Sequence, residues 1–297
     1  MAQITLLDGG LGQELVHRSG DKPTPLWSTR VMIDHPGLVE EVHRDFYDAG
    51  ATVIATNTYA LHHDRLELAG VTTPLPDLIT AALSEARAAR DAHPGKRILG
   101  SIGPLIASYR ADLHPPMAEA TPLYTELAQA LAPHVDVIGF ETVPSIDAAR
   151  AALAATQDID TPIWLAFTLD DQDGSKLRSG EPLADALSVA QTGAAAILAN
   201  CSAPEVMAAA MDIFATSDLP FGGYANGFTK ISDGFLQHAP TVDALTKRQD
   251  LGPEDYAAFA SKWAAQGATI IGGCCEISPD HIRAVHDALI ADGHTII

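Results

Sequence analysis

Eight short runs of apolar, β-prone residues punctuate the chain, at 4–10, 52–59, 97–104, 135–142, 162–169, 195–202, 220–226 and 268–275. Most are near-continuous rather than alternating, the pattern expected when both faces of a parallel strand are covered. Helical spacing fills the gaps between them. Leu38, Val42, Phe46 and Ala49 fall on one face of a segment that stops at Gly50. The segments 75–93, 145–157, 182–191, 204–216, 253–266 and 279–291 follow the same plan, several with proline in the first turn, where its missing N–H does no harm. Ser278-Pro279 reads as an N-cap followed by an N1 proline. Strand and helix alternating in this way predict an α/β protein, a (β/α)8 TIM barrel spanning 1–297 as a single domain. The stretches before Pro36, around 170–180 and around 227–252 are predicted as loops over the top of the barrel.

A length of 297 residues suits one such barrel. No apolar run approaches the roughly 18–20 residues of a membrane span, and the start Met1-Ala2-Gln3-Ile4-Thr5 lacks a basic segment followed by an apolar one. A soluble, cytoplasmic protein is expected. With 38 carboxylates against 18 Lys plus Arg, binding to nucleic acid or to an anionic membrane is not expected.

Chemistry enters with the three cysteines, an odd count unsuited to a disulfide framework. Cys201 closes the sixth predicted strand, and Cys274 and Cys275 close the eighth. Active sites of such barrels lie at the C-terminal strand ends, and strands six and eight share parity, so these side chains can converge over the barrel axis. Adjacent cysteines rarely both point inward from a regular strand, so Gly272-Gly273 is predicted to bend the chain there. Three thiolates without a fourth protein ligand suit Zn2+ in an open, catalytic site. The open position would take a substrate sulfur and hold it deprotonated. Three buried cysteines acting as small hydrophobes, or a vicinal Cys274–Cys275 disulfide, are the structural alternatives.

These segments resemble the homocysteine S-methyltransferase family, which includes betaine–homocysteine and S-methylmethionine–homocysteine methyltransferases and the homocysteine module of cobalamin-dependent methionine synthase. The resemblance rests on Leu7-Asp8-Gly9-Gly10-Leu11-Gly12, Ala49-Gly50-Ala51 leading to Thr56-Asn57-Thr58-Tyr59, Ser101-Ile102-Gly103-Pro104, Glu141-Thr142, Asn200-Cys201 and Gly272-Gly273-Cys274-Cys275. It implies that Cys201, Cys274 and Cys275 are the zinc ligands, that Gly9 and Gly10 offer backbone N–H groups to the homocysteine carboxylate, and that Glu141 binds the ammonium. Consecutive amides without side chains can form an anion-accepting nest. Asp8 is expected to orient the amine or the turn, and Asn57 and Asn226 to support the site by hydrogen bonds. Trp27 and Tyr59 are candidate walls for a cationic donor.

The resemblance implies methyl transfer to homocysteine, forming methionine, with S-methylmethionine or S-adenosylmethionine as the favoured donor. Ala60 stands where betaine enzymes carry a tyrosine, which weakens betaine. Ala225 and Glu276 stand where relatives often carry proline and arginine, which leaves the donor pocket open. A cobalamin- or folate-linked donor, and a zinc- or thiol-binding protein without turnover, are the alternatives.

Overall fold

The computed structural model describes residues 1–22, 24, 26, 28–231, 234, 236 and 245–297. In chain order the elements are β1 (Gln3–Leu6), α1 (Leu11–Ser19), α2 (Ser28–Asp34), α3 (Leu38–Asp48), β2 (Val53–Ala55), α4 (His63–Leu68), α5 (Leu75–Asp91) and β3 (Arg97–Ile102). They continue with α6 (Met117–Leu131), β4 (Val137–Val143), α7 (Ile146–Ala155), β5 (Ile163–Phe167), α8 (Leu183–Ala190), β6 (Ala196–Asn200) and α9 (Met207–Phe214). The last are β7 (Phe221–Ala225), α10 (Pro253–Ala265), β8 (Ile270–Gly273), α11 (Pro279–Ala291) and β9 (Thr295–Ile296).

Strands β2 to β8 pair in sequence order, and β8 pairs with β1, all in parallel. The ring closes between β1 and β2. There Leu7 bridges Val53 in parallel, and the Thr52 N–H donates to the Leu6 carbonyl at 2.7 Å. The short β9 lies outside the ring, on β1. The predicted (β/α)8 barrel is therefore the fold.

Two concentric cores follow from the strand pleat. Inward residues from all eight strands (Leu7, Val53, Leu99, Val137, Trp164, Leu198, Tyr224 and Ile270 among them) pack on one another along the axis. Outward residues such as Ile54, Ile98, Ile138, Leu165 and Ile197 pack against the helices. Removing an axial side chain such as Leu99 would cost about 2–5 kcal/mol, the usual range for a core leucine truncated to alanine.

The prediction omitted four helices. α1 and α2 occupy stretches predicted as loop, because α1 buries only Leu11 and Leu15 and α2 has seven residues, too few to repeat a pattern. α4 is shorter still, with Leu66 its one buried residue. α6 carries Pro122 inside it, which removes a backbone hydrogen bond. Its buried Ala120, Tyr124, Leu127, Ala128 and Leu131 nevertheless make a continuous face.

Candidate active site

Alternation along the strands sets up a second layer above the axial core. Ser101 stands two residues beyond Leu99, Asn200 two beyond Leu198, and Glu141 four beyond Val137, so all three side chains face the axis. With Tyr224 they line a cavity of about 130 Å³ at the C-terminal end of the barrel. Asp8, Gly9, Gly10, Asn57, Cys201, Cys274 and Cys275 line it too.

The three sulfurs meet there. All lie within 4.8 Å of one another, and they form the cluster of possible metal donors found among the described residues. Cys274 Sγ is 4.0 Å from Cys275 Sγ. Cys201 and Cys274 are in disulfide contact, with Cα atoms 5.7 Å apart, a pairing different from the vicinal Cys274–Cys275 alternative. Sulfurs bound to one tetrahedral ion at about 2.3 Å sit about 3.8 Å apart. The trio therefore fits a zinc ion once the contacting pair is reduced. Burial pushes the Cys275 thiol up to about 12, with Glu276 adding to the shift. A thiol so placed stays protonated at neutral pH until a cation compensates its charge.

Backbone geometry aims these groups. Cys201, Thr142 and Tyr109 line the cavity with φ of +46°, +57° and +66°, a region costly for residues with a side chain. The predicted bend at Gly272-Gly273 is not present. Both belong to β8, and neither has positive φ. A Cβ on Gly272 would lie 2.4 Å from that of Leu7, so the glycine serves close packing instead. The turn comes later, at Glu276, with φ of +66°.

Two carboxylates share the cavity. Asp8 accepts the Ala55 N–H at 2.9 Å, and its carboxyl is raised well above the usual range by burial first and by the Glu141 charge. Glu141 accepts the Tyr224 hydroxyl at 2.8 Å and the Ser101 hydroxyl on its other oxygen. Burial raises its pKa while these two bonds lower it. No Lys, Arg or His is among the described lining residues, so the cavity favours cations.

The remaining predicted residues divide. A Cβ on Gly9 would lie 2.1 Å from the Ile277 carbonyl oxygen, and one on Gly10 would lie 2.8 Å from that of Cys274. The glycines thus admit the cysteine-bearing turn. The Gly10 N–H donates to the Ile277 carbonyl at 2.8 Å, so it is committed to that turn rather than free for a carboxylate, which corrects the prediction for Gly10. Asn57 reaches the cavity but is tied to Ser28, donating to its carbonyl at 3.2 Å and accepting from its hydroxyl. Asn226 does not line the cavity. Its Oδ1 accepts the Phe228 N–H at 3.1 Å, a turn-capping role. Tyr59 lines the cavity, its hydroxyl 2.8 Å from Ser108 Oγ, whereas Trp27 lies outside the described residues. Ser101, Asn200, Tyr224 and Tyr109 were not assigned roles beforehand. Inward register near the C-terminal ends of β3, β6 and β7 was the available signal for the first three.

A sequence model of the homocysteine S-methyltransferase family matches residues 5–289. The chain belongs to that family. Homocysteine S-methyltransferase 3 of Zea mays is 28% identical to it, over 96% of this chain and 89% of the relative. Selenocysteine Se-methyltransferase of Brassica oleracea var. italica is 26% identical, over 96% and 89% respectively. The metallated form of the Escherichia coli homocysteine methyltransferase MmuM superposes with a TM-score of 0.79 at 27% identity, covering 96% of both chains. Its oxidized form gives 0.81 at 27% identity, covering 96% of this chain and 95% of that one. Homocysteine S-methyltransferases of this family are enzymes of methyl transfer. Among the described residues no helix is long and apolar enough to cross a membrane.

Proposed function

We propose that this chain transfers a methyl group from a sulfonium donor, S-methylmethionine or S-adenosylmethionine, to the thiol of homocysteine, forming methionine. The observation that carries this reading is the convergence of three cysteine sulfurs, the buried Asp8 and the half-buried Glu141 on one cavity without a basic wall. Cys201, Cys274 and Cys275 are assigned as ligands of zinc. When bound, zinc supplies a Lewis acid that keeps the acceptor thiol deprotonated at neutral pH.

The chain's own groups supply the rest. Glu141 receives the acceptor's ammonium, and Asp8 stands nearby with a further carboxyl oxygen to accept from it. Gly9 and the first turn of α1, whose Gly12 and Gln13 line the cavity, lend a positive helix end to the acceptor's carboxylate. Tyr59 and Tyr109 present aromatic walls suited to a sulfonium and exclude water. The acceptor's sulfur–carbon bond forms as the donor's carbon–sulfonium bond breaks. The donor leaves as a neutral thioether, and the thiol proton goes to solvent. Opposite charges cancel on the way to the transition state, so a partly dry cavity favours the step.

The test is a donor panel on reduced, zinc-loaded protein: homocysteine with S-methylmethionine, S-adenosylmethionine, betaine or methylcobalamin, read as methionine by mass spectrometry. A sulfonium should give methionine, and Cys201→Ala should give none. If no donor yields methionine and Cys201→Ala behaves like the parent, the methyltransferase role fails. Turnover with methylcobalamin alone would select the cobalamin-linked alternative. Because similar proteins include selenocysteine methyltransferases, selenocysteine belongs in the acceptor panel.

A further inference from the structure

Glu141 is held from two sides by hydroxyl groups on other strands. Tyr224 of β7 donates to Oε1 at 2.8 Å, and Ser101 of β3 donates to Oε2. Three strand steps separate β4 from β7, so the phenol crosses the barrel to make its bond. Tyr224 is 4% exposed and Ser101 1%, which leaves water little chance to replace either. Burial, and then the Glu141 charge, raise the Tyr224 pKa well above its usual value, so it remains a protonated donor. An ionised carboxylate offers about four acceptor positions. With one hydroxyl on each oxygen, its plane is fixed and lone pairs remain for a further donor entering the cavity.

We propose that Tyr224, with Ser101, is a positioning residue that fixes Glu141 as the receptor for the acceptor's ammonium group and so sets selectivity for α-amino thiols. This rests on the homocysteine reading above. A phenol that only filled the axis would tolerate loss of its oxygen. One that orients the receptor would show its loss in acceptor affinity, and only while the receptor carries a charge.

Reduced, zinc-loaded Tyr224→Phe, Ser101→Ala, Glu141→Gln and Tyr224→Phe/Glu141→Gln would be compared with the parent at saturating sulfonium. Tyr224→Phe should raise KM for homocysteine about tenfold, the scale of one hydrogen bond to a charged group, with kcat changed less than about threefold. In the Glu141→Gln background the same substitution should cost less than about twofold, because its target has lost the charge. The acid limb of kcat/KM should move to higher pH in Tyr224→Phe, since a lost donor raises the carboxyl's pKa. Ser101→Ala should give the same KM-selective defect, and carries the test if Tyr224→Phe does not fold. An unchanged KM, a loss confined to kcat, or an equal cost in both backgrounds overturns this role while the methyltransferase function stands. A parent inactive on homocysteine with every donor overturns both.

Discussion

The side-chain amide of Asn200 clasps Thr142 through both its main chain and its hydroxyl. Its Oδ1 accepts the Thr142 N–H at 2.9 Å, and its Nδ2 donates to Thr142 Oγ1 at 3.3 Å. Asn200 precedes Cys201, and Thr142 follows Glu141, so one buried side chain couples the end of β6 to that of β4. Thr142 and Cys201 both hold positive φ, and the clasp keeps this strained pair in place. Asn200→Ala leaves the Thr142 N–H buried without a partner, at a cost of about 1–3 kcal/mol. Zinc affinity should fall about 10- to 100-fold, as for other groups that orient metal ligands. Thermal unfolding and chelator competition measure the two effects, and undiminished zinc affinity would separate the clasp from the metal site.

Each cysteine should be indispensable to metal binding. Cys201→Ala, Cys274→Ala and Cys275→Ala each leave two sulfurs where an open site needs three protein ligands. Zinc content measured after dialysis should drop from about one per chain to a small fraction in every variant. A variant that keeps full zinc content removes its cysteine from the ligand set.

Asp8 gives a pH signature. Its folded-state pKa lies above the unfolded value, so the folded chain binds the extra proton. Its contribution to stability is then complete below the unfolded pKa of about 3.9 and is lost as pH rises through the folded value. Asp8→Asn retains an acceptor for the Ala55 N–H and removes that loss. Its Tm should exceed the parent's at about pH 8 and converge with it near about pH 4, while homocysteine binds more weakly. A Tm advantage that grows toward acid would contradict the sign.

Gly9 tests the close approach of the cysteine-bearing turn. With its added Cβ only 2.1 Å from the Ile277 carbonyl oxygen, Gly9→Ala must displace the segment 274–277 or the end of β1. A loss of about 1–3 kcal/mol is expected, as for other overpacked sites, together with weaker zinc retention. Denaturant unfolding and zinc competition check it, and a neutral result would mean the turn yields freely.

The barrel was legible because strands covered on both faces carry apolar runs, and a strand end can be recognised in one dimension. The same logic located Cys201, Cys274, Cys275 and Glu141. What stayed hidden depends on neighbours around the ring. The partners of Glu141 come from β3 and β7, and that of Thr142 from β6, pairings set by barrel register rather than by spacing in sequence. Gly9-Gly10 could be read as a nest, but the Ile277 carbonyl that takes the Gly10 N–H comes into view only when β1 and β8 lie side by side. Asn226 fits the local turn chemistry of asparagine, and its strand-end position alone could not decide between the two roles. Helix α6 was obscured by Pro122, and its continuous buried face outweighs one missing backbone bond.

The hydrogen bond from Gly10 to Ile277 also has a thermodynamic consequence. It makes the entrance to α1 and the loop bearing two of the sulfurs a single mechanical piece. Whatever steadies one side spares the other part of its ordering cost. Metal and amino acid should therefore be linked ligands, each tightening the other's grip by the same factor.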